Sequence, residues 1–255
     1  MPIVITGTTF TGGTTLTGVT YQGPMGYTSN LVLNLDAAAY SGSGNWIDTV
    51  GSKPFVLNGS PSYSSTIGGG SFNFSPASGQ SAFCSTSLSS LNTWTVEAWN
   101  YYDGTNTGLS PCIITEGFGG TLHINYALGA GLANPNVFES GFFGANDGVG
   151  WRTSKSGSGY ATSNLVPGTW YQFVGTYNGS NIKLYINNTL IESTAYSAPG
   201  GYPQSAGSGI RLMQKWDGDA QYWGGKLGIV RVYNTDIGTG GINQNWNANK
   251  SRFGL

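Results

Sequence analysis

The sequence predicts an all-β protein, a two-sheet antiparallel sandwich with an extended N-terminal arm, and three observations carry that prediction. Glycine supplies 42 of 255 residues, more than double the usual share of about 7%, and such a chain is poor in what a helical bundle needs. From Asn30 onward, short apolar runs, several alternating at period two, are separated by turn residues, the pattern of strands with one buried face. Asn178-Gly179 stands between two such runs, and an Asn-Gly pair accepts positive φ cheaply, which makes it a strong hairpin signal. Eight tryptophans and 13% aromatic residues are too many for a chain that never buries them, so disorder is excluded for most of the length.

Residues 1–28 form the predicted arm. Thr6–Thr20 is threonine broken by glycine, the segment carries no charge, and its apolar anchors Ile3, Ile5, Phe10, Leu16 and Val19 are too sparse to make a core. Threonine favours extended backbone. The segment reads either as a disordered leader or as an arm ordered by pairing with an edge strand of a neighbouring chain. The arm is the favoured reading, because free edges normally carry charges or proline that block such pairing.

The body, residues 29–255, holds eleven candidate strands: Leu31–Asp36, Pro54–Leu57, Ser71–Phe74, Trp94–Tyr102, Cys112–Glu116, Thr121–Leu128, Val137–Phe143, Trp170–Tyr177, Ile182–Ile186, Ile210–Gln214 and Lys226–Asn234. Alternation assigns faces. Trp94, Val96 and Ala98 oppose Thr95, Glu97 and Trp99; Ile182, Leu184 and Ile186 oppose Lys183 and Tyr185; Gly228, Val230 and Val232 oppose Ile229, Arg231 and Tyr233. Only Gly241–Ser251 reads as helix, with Ile242 and Trp246 at i, i+4. A chain of this mass buries roughly three quarters of its unfolded surface, enough for one continuous core.

Charge narrows the function. With 10 Lys+Arg against 11 Asp+Glu and only 8% charged residues, there is no basic stripe to release counterions from a nucleic acid. No run of about 18 apolar residues spans a bilayer, and the start of the chain has neither the basic n-region nor the apolar stretch of a secretory signal. The expectation is a protein made in a host cytoplasm that leaves by lysis, by a non-classical route or within a larger particle. Cys84 and Cys112 form no disulfide framework; they read as two small buried residues, with one bridge between neighbouring strands as the lesser alternative.

These residues resemble a known family. Leu31-Val32-Leu33-Asn34-Leu35-Asp36-Ala37-Ala38 followed by Trp46-Ile47-Asp48, then Phe72-Asn73-Phe74, Trp94–Trp99, Trp170–Gly179, Ile182–Asn187, Tyr222–Asn234 and the tail Asn245–Leu255 resemble, in order and spacing, concanavalin A-like (laminin-G-like) jelly-roll domains over residues 31–255. The Leu-Asp opening, the terminal Arg-Phe-Gly and the Thr/Gly arm look most like domains found on tailed-bacteriophage particles, especially those infecting aquatic bacteria. The resemblance implies a jelly-roll sandwich, and a setting in the virion.

The family contains glucanases, whose chemistry needs carboxylates alternating along one strand to flank the glycosidic bond. That signature is absent. Asp217 and Asp219 are the one acidic pair at period two, with Gly218 between them arguing for a turn, and Glu97 has no acidic partner at two or four residues. His123 has no nucleophile elbow to serve and reads as a packed or half-exposed strand residue. The glycine runs at 68–70, 117–120 and 129–131 lack the lysine and following helix of a phosphate cradle. Relatives of the laminin-G-like sandwich often hold calcium at the rim with hard oxygen ligands; Asp217, Asp219 and Asp147 are candidates, but Asp-Gly pairs are turn residues first. No cofactor and no resident metal are expected.

A sugar site would combine an aromatic platform with hydrogen-bonding groups at the loop end of the sandwich. Trp151, Trp216, Tyr222 and Trp223, with Asp217 and Asp219, are the candidates, against a packing role that weighs most heavily for Trp223. The expected function is therefore a non-enzymatic virion structural protein of a tailed phage, a head decoration or tail appendage. The arm would anchor it to copies of itself and to other virion proteins. The alternative is a carbohydrate-binding adhesin for host surface polysaccharide; a glycan-degrading enzyme comes last. Neither nucleic acid nor membrane is an expected partner.

Overall fold

A computed structural model of the chain describes residues 26–88, 91–118, 123–131, 136–143, 151–196 and 209–255. The arm anchors Ile3, Ile5, Phe10, Leu16 and Val19, and Asp147, lie outside these residues. The strands are β1 (Leu31–Asp36), β2 (Trp46–Ile47), β3 (Pro54–Asn58), β4 (Ser62–Ser64), β5 (Ser71–Phe74), β6 (Ser81–Cys84), β7 (Trp94–Tyr102), β8 (Cys112–Phe118) and β9 (His123–Ala130). They continue with β10 (Val137–Phe143), β11 (Trp151–Thr153), β12 (Tyr160–Ala161), β13 (Thr169–Tyr177), β14 (Asn181–Ile186), β15 (Thr189–Ala195), β16 (Ile210–Leu212) and β17 (Gly225–Tyr233), followed by one helix, α1 (Gly238–Asn249), and a 3-10 turn at Lys250–Phe253.

The strands form the predicted two antiparallel sheets. The first runs β15-β14-β13-β7-β17-β5-β4, with β1 sharing the far edge of β17; the second runs β11-β10-β9-β8-β16-β6-β3-β2, with β12 beside β11 on β10. Alternation fills the space between them. Trp94, Val96 and Ala98 from β7, Ile182, Leu184 and Ile186 from β14, and Val230 and Val232 from β17 all enter one core with Tyr126, Leu128, Phe138 and Phe142 of the second sheet. The 178–180 hairpin forms with Gly179 at φ 91°, and the Asn178 side chain accepts from the amides of Ser180 and Asn181.

One face assignment is corrected. The pairing of β17 with β7 shifts between Leu227 and Ile229, a bulge that adds one residue and flips the alternation before it. Leu227, not Gly228, therefore joins Val230 and Val232 in the core. Glycine suits the bulge because a Cβ on Gly228 would come within 2.6 Å of the Phe253 ring.

The helix starts three residues before its expected position. Its glycine- and asparagine-rich sequence is a poor helix former, so packing on the outer face of the first sheet holds it, with Gly241, Ile242, Asn245 and Asn249 buried. Beneath it lies Glu97, fully buried. Its carboxylate accepts from Trp99 Nε1 at 2.7 Å, Gln172 Nε2 at 2.9 Å and Asn245 Nδ2 at 2.7 Å, and Arg231 Nη1 lies 3.6 Å away. Phe253 stacks on Trp99 at 4.8 Å and packs on Trp170, while Arg252 makes a two-pronged ion pair with Asp36 at 2.8 and 2.9 Å. The Leu-Asp opening and the Arg-Phe ending are thus bonding partners.

Tyr27 donates its backbone N–H to Asn245 Oδ1 and accepts at its carbonyl from the Tyr233 hydroxyl. Tyr27, two residues inside the predicted arm, is thus bonded to the body. Cys84 on β6 and Cys112 on β8 are free and buried, and they are separated by the intervening β16.

Candidate functional site

Beyond β16 the chain continues as a narrow ribbon. Met213 and Gln214 pair with Trp223 and Tyr222, and the Lys215 amide donates to the Gln221 carbonyl, leaving 215–221 as the tip. The Asp-Gly-Asp sequence makes that tip tight. Gly218 sits at φ +86°, a conformation that disfavours any side chain, and a Cβ there would come 3.2 Å from the Arg211 guanidinium carbon. Asp217 Oδ1 accepts from the Asp219 amide at 3.0 Å, and Gln214 Nε2 donates to the Gly218 carbonyl at 2.7 Å. Gln221 Oε1 accepts from the Leu109 and Ser110 amides, which fastens the ribbon to the neighbouring loop.

Trp216 projects from this tip onto Trp151 of β11, edge to face, with ring centroids 5.0 Å apart. The pair covers Cys112 and Ala127 on the outside of the second sheet, and both indoles remain half-buried. Arg211 supports the tip from below, donating through Nε to the Trp216 carbonyl while its guanidinium lies 4.4 Å above the Phe83 ring. Lys215 Nζ lies 2.6 Å from Asp217 Oδ2, 2.6 Å from Asp219 Oδ2 and 5.1 Å from the Trp216 ring centre. Burial works against the lysine's charge, but the hydrogen bonds and charges of the two aspartates outweigh it and hold Lys215 above its usual value.

Of the six predicted sugar-binding residues, four come together: Trp151, Trp216, Asp217 and Asp219. Two do not. Trp223 is fully buried, donating from Nε1 to Asn100 Oδ1 at 3.0 Å and packing on Tyr102 and Phe138; these core contacts remove it from the platform. Tyr222 lies against Gly79 instead of joining the tryptophan pair. Lys215, Arg211 and Gln214 belong to the site and were missed. One signal could have found them: in a chain with 8% charged residues, Arg211, Lys215, Asp217 and Asp219 fall within nine positions.

Asp217 and Asp219 share an ammonium where a calcium ion would have to sit, and among the described residues no three His, Cys, Asp or Glu side chains gather as a metal site. Burial, reinforced by the Asp217 charge and only partly offset by Lys215, pushes the Cys112 thiol up, so it stays protonated and unreactive. Glu97 is fully buried beneath its donors.

Residues 75–240 match the concanavalin A-like lectin/glucanases superfamily. Among curated proteins none matches the sequence. Solved structures do. The fourth domain of an extracellular arabinanase from Geobacillus stearothermophilus, in complex with arabinotriose, aligns with a TM-score of 0.62 at 14% identity, over 86% of this chain and 98% of that one. The ligand-binding domain of botulinum neurotoxin serotype D, in complex with N-acetylneuraminic acid, gives 0.62 at 15% identity over 85% of this chain and 50% of that one. Trypanosoma rangeli sialidase in complex with sialic acid gives 0.60 at 14%, over 90% of this chain and 34% of that one. The chain thus spans half of the toxin domain and a third of the sialidase, and at these identities the likeness is one of fold.

Proposed function

The chain belongs to the concanavalin A-like lectin/glucanases superfamily, and within it we propose a non-enzymatic glycan-binding module that docks a sugar on the Trp151–Trp216 pair. One observation carries this reading: two half-buried indoles in contact, bordered by two carboxylates that reach solvent. The apolar C–H face of a pyranose packs on an indole, while its hydroxyls donate to Asp217 and Asp219, whose side chains are 27% and 61% exposed. Carbohydrate complexes of similarly folded domains support the same reading.

A glycan array probed with the wild-type protein and with Trp216→Ala tests it. The wild type retains a defined set of glycans, and the variant loses at least ten-fold in affinity, the size expected when an aromatic anchor worth about 2 kcal/mol is removed. A wild type that binds no glycan overturns the proposal.

A second reading places this module on the outside of a tailed-phage particle as a structural protein, anchored by residues 1–25. It rests on the uncharged Thr/Gly composition of that segment, which is followed in sequence by Tyr27, a residue tethered to α1 and β17. Deleting residues 1–25 spares Tyr27 and so leaves the sandwich folded. Loss of self-association or of incorporation into particles is the expected result; unchanged assembly removes this role.

A further inference from the structure

We propose that Lys215 is a built-in cation that positions Trp216, Asp217 and Asp219, so that the site works without a divalent metal. As a statement about glycans this rests on the binding reading above; as a statement about the loop it stands alone. An ammonium offers three N–H donors and no acceptor. Two have carboxylate oxygens at 2.6 Å, and the Trp216 ring lies 5.1 Å from the nitrogen. The two carboxylate oxygens are therefore within twice that shorter distance of each other, an arrangement that repels unless a cation lies between them. Arg211 holds a different position, its Nε donating to the Trp216 carbonyl and its guanidinium lying over the Phe83 ring, with the Asp217 charge reaching it from a distance.

The lysine is also made for this one position. Its backbone N–H donates to Gln221 and its carbonyl accepts from Gly218, so the residue that supplies the cation also closes the tip. Its side chain is 14% exposed, which shields the ion pairs from solvent more than an ordinary surface bridge is shielded. A metal ion performing the same task would organise the same three groups from outside; here the chain carries the charge itself.

The test uses Lys215→Met, which keeps the stem and removes the charge, beside Lys215→Arg, which keeps the charge. Each is titrated with calcium chloride alone, by calorimetry and by tryptophan fluorescence, with Trp216→Phe versions identifying the Trp216 signal. Wild type and Lys215→Arg are expected to show no calcium response. Lys215→Met is expected to keep the wild-type melting profile within a few degrees and to change its Trp216 emission. It should also gain a calcium site with a dissociation constant on the order of 1 mM, the range of weak extracellular sites, with emission returning towards wild type as calcium binds. Should the methionine variant not fold, Lys215→Gln carries the same readouts. A wild type that binds calcium, or a charge-free variant with wild-type emission and no calcium response, overturns the proposal. If the wild type binds no glycan but the fluorescence and calcium results hold, the glycan reading fails and the lysine assignment stands; glycan binding abolished by a chelator sinks the lysine assignment alone.

Discussion

The outer faces of the two sheets carry similar chemistry to opposite ends. Outside the first sheet, Glu97, Arg231, Trp99 and Asn245 meet under α1 with Phe253 stacked above. Outside the second, Asp217, Asp219, Lys215, Trp216 and Trp151 meet at a ribbon tip. Both clusters combine carboxylate, cation and indole. In the first, the carboxylate is fully buried and its partners come from β7, β13, β17 and α1. In the second, most members lie within five residues of one another and the carboxylates reach solvent. Enclosed, the set holds the fold together; open, it has bonding capacity left for a ligand.

The sharpest break in that comparison is Glu97→Ala. Removing the carboxylate leaves the Arg231 charge, Trp99 Nε1 and Gln172 Nε2 without their acceptor and takes one of two acceptors from Asn245 Nδ2, and breaking a buried charged network costs about 3–5 kcal/mol. Denaturant unfolding should show a loss of that size, or no folded protein. A loss below about 1 kcal/mol would mean that the network is not the lock described. Phe253→Ala comes next. It opens a cavity between Trp99, Trp170 and the Gly228 bulge and should cost about 3 kcal/mol by the same measurement, with no effect on glycan binding.

These two regions also show what was legible in the sequence. Long strands such as Trp94–Tyr102 could be placed because the face turned to the core is apolar while the other face, though also buried, mixes polar residues with Trp99. Two- and three-residue edge strands such as β2, β11 and β12 carry no period to detect, and β15, with the sequence TLIESTA, is too polar and half-exposed to announce itself. Glu97 looked idle because its partners Gln172, Arg231 and Asn245 are brought to it only by sheet order and by the helix. The Asp-Gly-Asp tip was visible because its interactions are local, whereas the meeting of Trp216 with Trp151, 65 positions earlier in the chain, needed the fold. Tyr222 and Trp223 are both sugar-site candidates in the sequence, with a packing role weighing most heavily for Trp223, and Trp223 indeed lies in the core while Tyr222 does not.

At the open cluster, Trp216→Ala should separate binding from stability. The indole is half-buried and supported from one side, so unfolding free energy should fall by about 1 kcal/mol while glycan affinity falls at least ten-fold. Equal losses in both would make Trp216 a packing residue and erase the distinction between the two faces.

The smallest expected effect belongs to Asp219→Asn. Its side chain is 61% exposed, and its carboxylate forms one of the two ion pairs of Lys215. Exposed pairs contribute roughly 0–1 kcal/mol because water and salt screen them, and Asp217, less exposed and accepting the residue-219 amide, still holds the ammonium. Stability should therefore change by less than about 0.5 kcal/mol. Glycan affinity should fall two- to five-fold, since the amide keeps one acceptor oxygen but loses the charge that strengthens a hydrogen bond from a sugar hydroxyl, an effect of about 0.5–1 kcal/mol. Calorimetric titration with a glycan identified on the array measures the affinity, and denaturant unfolding measures the stability. A stability loss approaching that of Glu97→Ala would mean that the ribbon tip is as enclosed as the face under α1, and the distinction between lock and contact surface would fall with it.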